Sequence, residues 1–406
     1  MNAIELLQSL RSTLEVELES ILTFWIDHMI DDKHQGFIGK LDHENKRYED
    51  APKGVVLNAR ILWAFSAAFH LTKKPPYLET AKRAYHFLND FFYDPLNGGY
   101  YWTVSSTGIP LDTKKQIYAQ AFVLYAFSEF YKITLDNEVL ERASALFHLI
   151  ETKSFDKKQS GYAEAFSADW NLLTDLRLSE KDNNDIKTTN THLHIIEAYS
   201  NLYKVYKHSL LKEQIINLLN DFRNHIIHPS THHLQLFFDE QWNVTSGLIS
   251  YGHDIEAAWL LHKAALCVDD AESIRWYSEN ACAMTEAAAK GLDENDGGLW
   301  YEYLPEKNKL IKEKHWWPQA EAMIGFFNQW QITKKPKPLE QCFNSWNFIK
   351  NHILDKTGGE WVWGVYEDYS IMYHEDKGGL WKCPYHNSRA CIEIIQRIKE
   401  VNGNLH

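Results

Sequence analysis

Cysteine is scarce in this chain of 406 residues, and basic charge is outweighed by acidic charge. The five cysteines (Cys267, Cys282, Cys342, Cys383, Cys391) are odd in number and show no CxxC spacing, so neither a disulfide framework nor a zinc ribbon is expected. Lys and Arg number 42 against 55 Asp and Glu, a net charge of −13, and no run of five basic residues occurs. That removes the electrostatic footprint of a protein that binds nucleic acid or an anionic membrane. Long apolar runs are missing too, and the opening MNAIELLQSLRSTLEVELES carries acidic residues where a signal peptide has its uninterrupted apolar core. A soluble, cytoplasmic chain is expected. No GxGxxG, GxxxxGK[ST] or HExxH occurs, and the adjacent His232 and His233 lack further ligand spacing. Neither a nucleotide cofactor nor a metal is called for.

What the chain has is aromatic residues, with 15 Trp, 21 Tyr and 20 Phe, and a recurring glycine-centred turn. The turn reads DDKHQGFIG (Asp31 to Gly39), DPLNGGYYW (Asp94 to Trp102), DKKQSGYAE (Asp156 to Glu164), DENDGGLWYE (Asp293 to Glu302) and DKTGGEWVW (Asp355 to Trp363). From Gly36 through Gly98, Gly161 and Gly297 to Gly358 the steps are 62, 63, 136 and 61 residues, and 136 is two steps of 68. HPSTHHLQLFF (His228 to Phe238) lies in the gap and keeps the apolar end without the glycine, so the units number six. Repeats that cannot each bury a face alone must stack or close on one another.

Between turns the apolar period is helical, as in VVLNARILWAFSAAFHL (Val55 to Leu71) and YLETAKRAYHFLNDFFY (Tyr77 to Tyr93). The pattern predicts helices at 4–30, 54–71, 77–93, 116–132, 137–153, 188–206, 210–226, 252–268, 271–290, 316–331, 338–354 and 385–400. Twelve helices in six antiparallel pairs make an all-α chain, an (α/α)6 barrel occupying residues 1–406 as one domain, with short β hairpins at one end. The helix after each turn, small-residue and aromatic-rich, is expected inside. The longest non-helical insertion, from Ala168 to Lys187, is expected over the cavity mouth.

Unusual polar and aromatic residues recur near the starts of the inner helices: Arg60, Tyr118, Asn190 with His194, His253 with Glu256, Trp316, and Trp381 with His386. From Arg60 through Tyr118, His194, His253 and Trp316 to His386 the gaps are 58, 76, 59, 63 and 70, which track the structural period. Residues at one phase of a closed ring converge on its axis, so these groups are expected to line one pocket. Each also has a plainer reading. His253 and Glu256 share a helical face, where the carboxylate either orients the imidazole or forms a surface ion pair at a capped helix start. His192 and His194 point to different sides, so at most one faces the cavity. Arg60 amid apolar residues needs a partner or a ligand. Of Trp316 and Trp317, one is expected at the cavity. Glu321 reads as structural rather than as an acid, and His386 as held on a rigid turn after Pro384.

The motifs KGVVLNARILW, THLHIIEAY, SYGHDIEAAWL, KHWWPQAEAMIGF and WKCPYHNSRACIEI resemble those of the cellobiose 2-epimerases, within the N-acylglucosamine 2-epimerase superfamily, over Phe24 to Ile395. The resemblance implies an (α/α)6 barrel and a metal-independent isomerase that inverts C2 of the reducing-end glucose of a disaccharide. It implies His253 and His386 as an acid/base pair and His194 as the group assisting proton transfer between the C1 and C2 oxygens. Arg60, Tyr118, Asn190 and Glu256 are implied to bind the sugar or orient the histidines, and Trp316 and Trp381 to flank the sugar rings. The implied partner is a small sugar, on a monomer or weak homodimer.

Such chemistry suits these residues. Epimerisation beside an aldehyde needs a base on one face of C2 and an acid on the other, and two histidines titrating near neutrality serve both directions. The enediolate wants a cationic donor, the place of Arg60. A mannose 2-epimerase or a mannose/fructose isomerase shares this intermediate, and the histidines do not separate them. An (α/α)6 glycoside hydrolase would need two carboxylates across a cleft. A non-catalytic sugar-binding barrel accounts for the tryptophans but not for three histidines in phase.

Overall fold

The computed structural model describes residues 3–403, and twelve α-helices run through them. They are α1 (Ala3–Met29), α2 (Val55–Thr72), α3 (Pro75–Phe87), α4 (Ile117–Thr134), α5 (Asn137–Lys153), α6 (Thr189–Tyr203), α7 (Ser209–Asp221), α8 (Tyr251–Val268), α9 (Ala271–Ala288), α10 (Trp316–Thr333), α11 (Pro336–Phe348) and α12 (His386–Gly403). The even-numbered helices pack side by side in the order α2, α4, α6, α8, α10, α12 and back to α2, a closed inner ring. The odd-numbered helices lie outside, α3 on α2, α5 on α4, α9 on α8, α11 on α10 and α1 on α12, with α7 spanning α6 and α8. This is the (α/α)6 barrel.

Composition explains which helix goes inside. The first fourteen residues of α2 and of α4 are all buried, so each is covered on every side, whereas α3 and α11 bury only a stripe. Contrary to expectation from the sequence, α2 is long and apolar enough to cross a membrane, but 78% of it is buried inside this ring. Three outer helices end in a turn of π-helix, Leu88–Phe92, Phe222–Ile226 and Ile349–Ile353, where an unbroken α-helix was expected. The wider turn delivers the chain into the tight turn that follows, with its glycine after the first and third and without one after the second.

Each signature closes the same way. The backbone N–H of its first residue bonds the carbonyl five residues on, at Asp31, Asp94, Asp156, His228, Asp293 and Asp355. Six isolated antiparallel bridges flank these turns, Ile30 with Phe37, Tyr93 with Tyr100, Phe155 with Tyr162, Ile227 with Leu234, Leu292 with Leu299 and Leu354 with Trp361. The glycine-free unit therefore keeps the turn. His232 there takes the left-handed conformation at φ 61°, as Gly98 does at 73°. His228 Nδ1 accepts the N–H groups of Ser230 and Thr231, as Asp94 Oδ1 accepts those of Leu96 and Asn97.

Short hairpins within one unit are present, as expected, Thr103–Val104 with Pro110–Asp112 and Glu302–Leu304 with Lys309–Ile311, and further strand pairs join neighbouring units. The two or three residues before an inner helix pair antiparallel with the strand after the next turn: Lys53–Gly54 with Thr103–Val104, Lys115–Gln116 with Ala165–Phe166, and Lys187–Thr188 with Phe237–Phe238. Ile249–Ser250 pairs with Glu302–Leu304, and Glu313–His315 with Gly364–Tyr366. A bridge between Leu41 and Gly378 joins the first unit to the last. This pairing fixes five of the six inner helices, α2 to α10, at their N-terminal ends, where the cavity opens.

Candidate active site

The cavity at that end has a volume of about 490 Å³, within the range of small-molecule sites. Arg60, Tyr118, Asn190, His194, His253, Glu256, Trp316, Trp381 and His386 all line it. Tyr118, Asn190, His253, Trp316 and His386 sit in the first turn of their helices, while Arg60 and His194 reach the same space from the second turn. Residues Leu176 to Asn183, inside the insertion predicted to lie over the mouth, form part of the wall. Asn184 braces that loop by accepting from the Leu176 N–H and donating to the Thr174 carbonyl.

Arg60 is 3% exposed, and no carboxylate among the described residues bonds it. Its Nη2 donates to the Tyr118 hydroxyl at 2.6 Å, its guanidinium lies 4.2 Å from the Phe122 ring centroid, and its Nε–H has no partner. A permanent cation is thus left with donor capacity beside the cavity. Burial pushes the Tyr118 hydroxyl up from its ordinary value despite Arg60, so it stays protonated.

The three histidines are backed differently. His194 Nδ1 lies 3.0 Å from Glu197 Oε2, and His386 Nδ1 lies 2.7 Å from Glu321 Oε1. An ionised carboxylate only accepts, so each ring presents Nδ1–H to its glutamate, and in the neutral form of either ring Nε2 is left bare. His253 Nδ1 instead meets the Ser250 hydroxyl at 2.8 Å, a group that either donates or accepts. Of the two readings of His253 with Glu256, an orienting contact or a surface ion pair, the structure shows neither: Glu256 is buried and accepts from Arg389 Nη2 at 2.5 Å. His253 and His386 were both expected to titrate near neutrality, and burial moves both below it. Burial, with His194 nearby, brings His253 down to about 3, and burial with Arg389 and Arg60 holds His386 well below the usual range.

Glu321, read from sequence as structural, backs His386 instead. It also accepts from Trp259 Nε1 at 3.0 Å and from Arg389 Nη2 at 2.6 Å. Burial and the charge of Glu321 raise the Glu256 carboxyl to about 7. Burial alone would raise Glu197 as well, but Arg389 and His194 outweigh it and hold Glu197 at about 2. Both Trp316 and Trp317 line the cavity, where one was expected. Trp316 is almost buried against Trp363, ring centroids 4.4 Å apart, and Trp317 lies between His253 and His386 at 4.8 and 5.7 Å. His192 faces away, its Nε2 accepting the Tyr162 N–H at 2.9 Å in the turn behind.

The sequence profile of N-acylglucosamine 2-epimerase (GlcNAc 2-epimerase) matches residues 36–390. The chain belongs to that family. A cellobiose 2-epimerase of Bacteroides fragilis is 44% identical over 387 residues, covering 95% of this chain and 98% of that protein. Among solved structures, the cellobiose 2-epimerase of Spirochaeta thermophila superposes with a TM-score of 0.92 at 38% identity, covering 98% of each chain. That of Bacillus thermoamylovorans superposes at 0.91 with 38% identity, covering 96% of this chain and all of the other.

In this family member Glu197 and Arg389, with the Tyr385 hydroxyl beside them, form with Glu321 a polar layer beneath the cavity; sequence reasoning missed those three and read Glu321 as structural. A signal was available. Glu197, Glu256 and Arg389 each lie three residues after a cavity histidine on their own helix, one recurring spacing on α6, α8 and α12. Glu256, Glu321 and His386 do bring donor atoms within 4.8 Å of one another, a grouping able to hold a metal. Arg389, however, already sets its guanidinium on Glu256 Oε1 and Glu321 Oε1, and Glu321 Oε1 faces His386 Nδ1. The donor atoms a cation would use are engaged.

Proposed function

We propose that this chain is a sugar 2-epimerase that inverts C2 of the reducing-end hexose of a disaccharide, converting cellobiose to glucosyl-mannose. The observation that carries this reading is three histidines and an uncompensated arginine around one cavity, two of the histidines with Nε2 bare toward it. His386 removes the C2 proton through Nε2, and the C–H electrons pass through C1 to the carbonyl oxygen. Arg60 and the Tyr118 hydroxyl stabilise the resulting enediolate, helped by the helix N-termini that converge on the cavity. That negative charge raises the proton affinity of both neutral rings as it forms. His253, having taken up a proton from water as the enediolate forms, returns it to the opposite face of C2, and His386 releases the abstracted proton to water; the Ser250 hydroxyl accepts from or donates to His253 Nδ1 as the state of that ring requires. His194 relays the proton between the C1 and C2 oxygens. Asn190 and Glu256 hold sugar hydroxyls, and Trp316, Trp317 and Trp381 offer apolar faces to the C–H faces of the rings.

The hydrolase reading loses its carboxylate pair, since Glu256 and Glu321 share Arg389 instead of flanking a cleft. All five cysteines are free, in keeping with a reducing compartment, and we place the enzyme in the cytoplasm. Incubation with cellobiose, mannobiose, mannose and glucose in D2O tests the reading. The expected result is an epimeric disaccharide with deuterium at C2. A ketose product would move the enzyme to the isomerases, and released monosaccharide would refute it.

A further inference from the structure

Arg389 is the fourth residue of α12 and is fully buried. It does not line the cavity, yet it bonds three carboxylates from three different helices. Nη1 donates to Glu197 of α6, and Nη2 donates to Glu256 of α8 at 2.5 Å and to Glu321 of α10 at 2.6 Å. Tyr385 donates its hydroxyl to the same Glu197 oxygen at 2.6 Å, and the guanidinium lies over the Tyr385 and Trp259 rings at 4.3 and 5.0 Å. Two of these carboxylates, Glu197 and Glu321, are the ones behind His194 and His386.

We propose that Arg389 is a positioning residue that keeps Glu197 and Glu321 ionised and thereby locks His194 and His386 together in the tautomer with bare Nε2. Burial raises the Glu321 carboxyl above its ordinary value, and Arg389 is the main group that opposes this, with help from Trp259 Nε1; three buried carboxylates share this one cation, and removing it would leave them uncompensated. They would then take up protons. A protonated Glu321 donates where the carboxylate accepted, so its partner ring receives that hydrogen bond at Nδ1 and moves its own proton to Nε2. A base with its lone pair turned away cannot take a proton from the sugar. His253, backed by Ser250 alone, lies outside this lock. One guanidinium thus sets the state of two rings carried by different helices. The inference rests on the proposed epimerase reading for its consequence in turnover, but the tautomers themselves stand apart from any activity.

The test uses the full-length enzyme with 15N-labelled histidine, the tautomer of each ring being read from two-bond proton–nitrogen couplings and assigned with His194→Gln and His386→Gln. In the wild type, His194 and His386 are expected as the Nδ1–H form. Finding the Nε2–H form for either overturns the proposal without any variant, and whether the enzyme epimerises or not. Arg389→Met is expected to shift both rings toward Nε2–H and to lower kcat about 100-fold, the scale of lost outer support to a reacting imidazole, with KM within about threefold. Arg389→Lys, which keeps one charge but cannot span three carboxylates, is expected to fold and to fall between the two. A folded Met or Lys variant with wild-type tautomers and kcat would overturn the proposal. A wild type that shows the expected tautomers but leaves every sugar unchanged would overturn the epimerase reading instead.

Discussion

Two rings of buried charge encircle this barrel, one in the turns and one beneath the cavity, and they obey opposite rules. In the turns the pattern repeats. Lys53 pairs with Asp31 at 2.7 Å, Lys115 with Asp94 at 3.0 Å, Lys187 with Asp156 at 3.0 Å, Lys314 with Asp293 at 2.9 Å and Lys377 with Asp355 at 2.6 Å. Four of these lysines stand two residues before an inner helix. In the unit without a glycine both partners are gone together: His228 replaces the aspartate, and the position two before α8 is Ile249. A buried lysine without its carboxylate would be costly, so the pair disappears as a pair. Beneath the cavity the groups are not equivalent: α6, α8 and α10 each bring a glutamate to the one arginine of α12, but Glu197 backs His194, Glu321 backs His386 and Glu256 backs neither. Equivalent charges hold the units in register, whereas inequivalent ones make a site with distinct faces.

The sharpest break is expected at the cavity. His386→Ala and His253→Ala should each lower kcat by about 10⁴-fold, the upper range for a lost acid or base, with an unchanged circular dichroism spectrum. A variant of normal activity would remove that residue from the pair.

In the turns, Lys115→Met should cost about 3 kcal/mol in denaturant unfolding with little change in kcat, because it strands Asp94 without its ion pair. Burial alone would raise the Asp94 carboxyl, but Lys115, the Asn97 side chain and the N–H groups of Asn97 and Leu96 bring it down from 3.8 to about 2. Burial also pulls Lys115 downward, more than Asp94 restores. The sign follows: stabilisation by this carboxylate is complete above about pH 4 and is lost as the pH falls through about 2. The gap between wild type and Lys115→Met should therefore narrow in acid, and a gap that widens would contradict the pair's role.

A smaller effect is expected at Glu321→Gln, a loss in kcat of about 10- to 100-fold with KM preserved, since an amide holds the His386 Nδ1–H less firmly than a carboxylate. Equal loss in both parameters would place Glu321 in sugar binding. The smallest effect tests the unit that differs. Both positions are only half-buried, so that a lone charge there still reaches water; His228→Asp or Ile249→Lys alone should destabilise by about 1 kcal/mol or less, and the double substitution should recover part of that through a favourable coupling. Simple additivity would mean that the two positions do not meet.

Much of this was legible in sequence because the repeat carries phase. The position of Arg60, Tyr118, His194, His253, Trp316 and His386 at matching points of six units was enough to expect one cavity, and all of them line it. The misses share a cause. Glu321 looked structural because its partner lies 65 residues away on another helix, and Arg389 stood unread inside a quoted motif because none of its three carboxylates is on its own helix. The pairing of His253 with Glu256 was drawn from local spacing and failed, because Arg389 competes for that carboxylate across the barrel.

Sequence by itself determined the number of units, the alternation of covered and half-covered helices, and the residues turned toward the axis. These depend on period and composition, which are local. Only the tertiary structure decided which charge meets which. The energy of a buried ion depends on distances between helices far apart in the chain, and those distances exist only once the ring has closed.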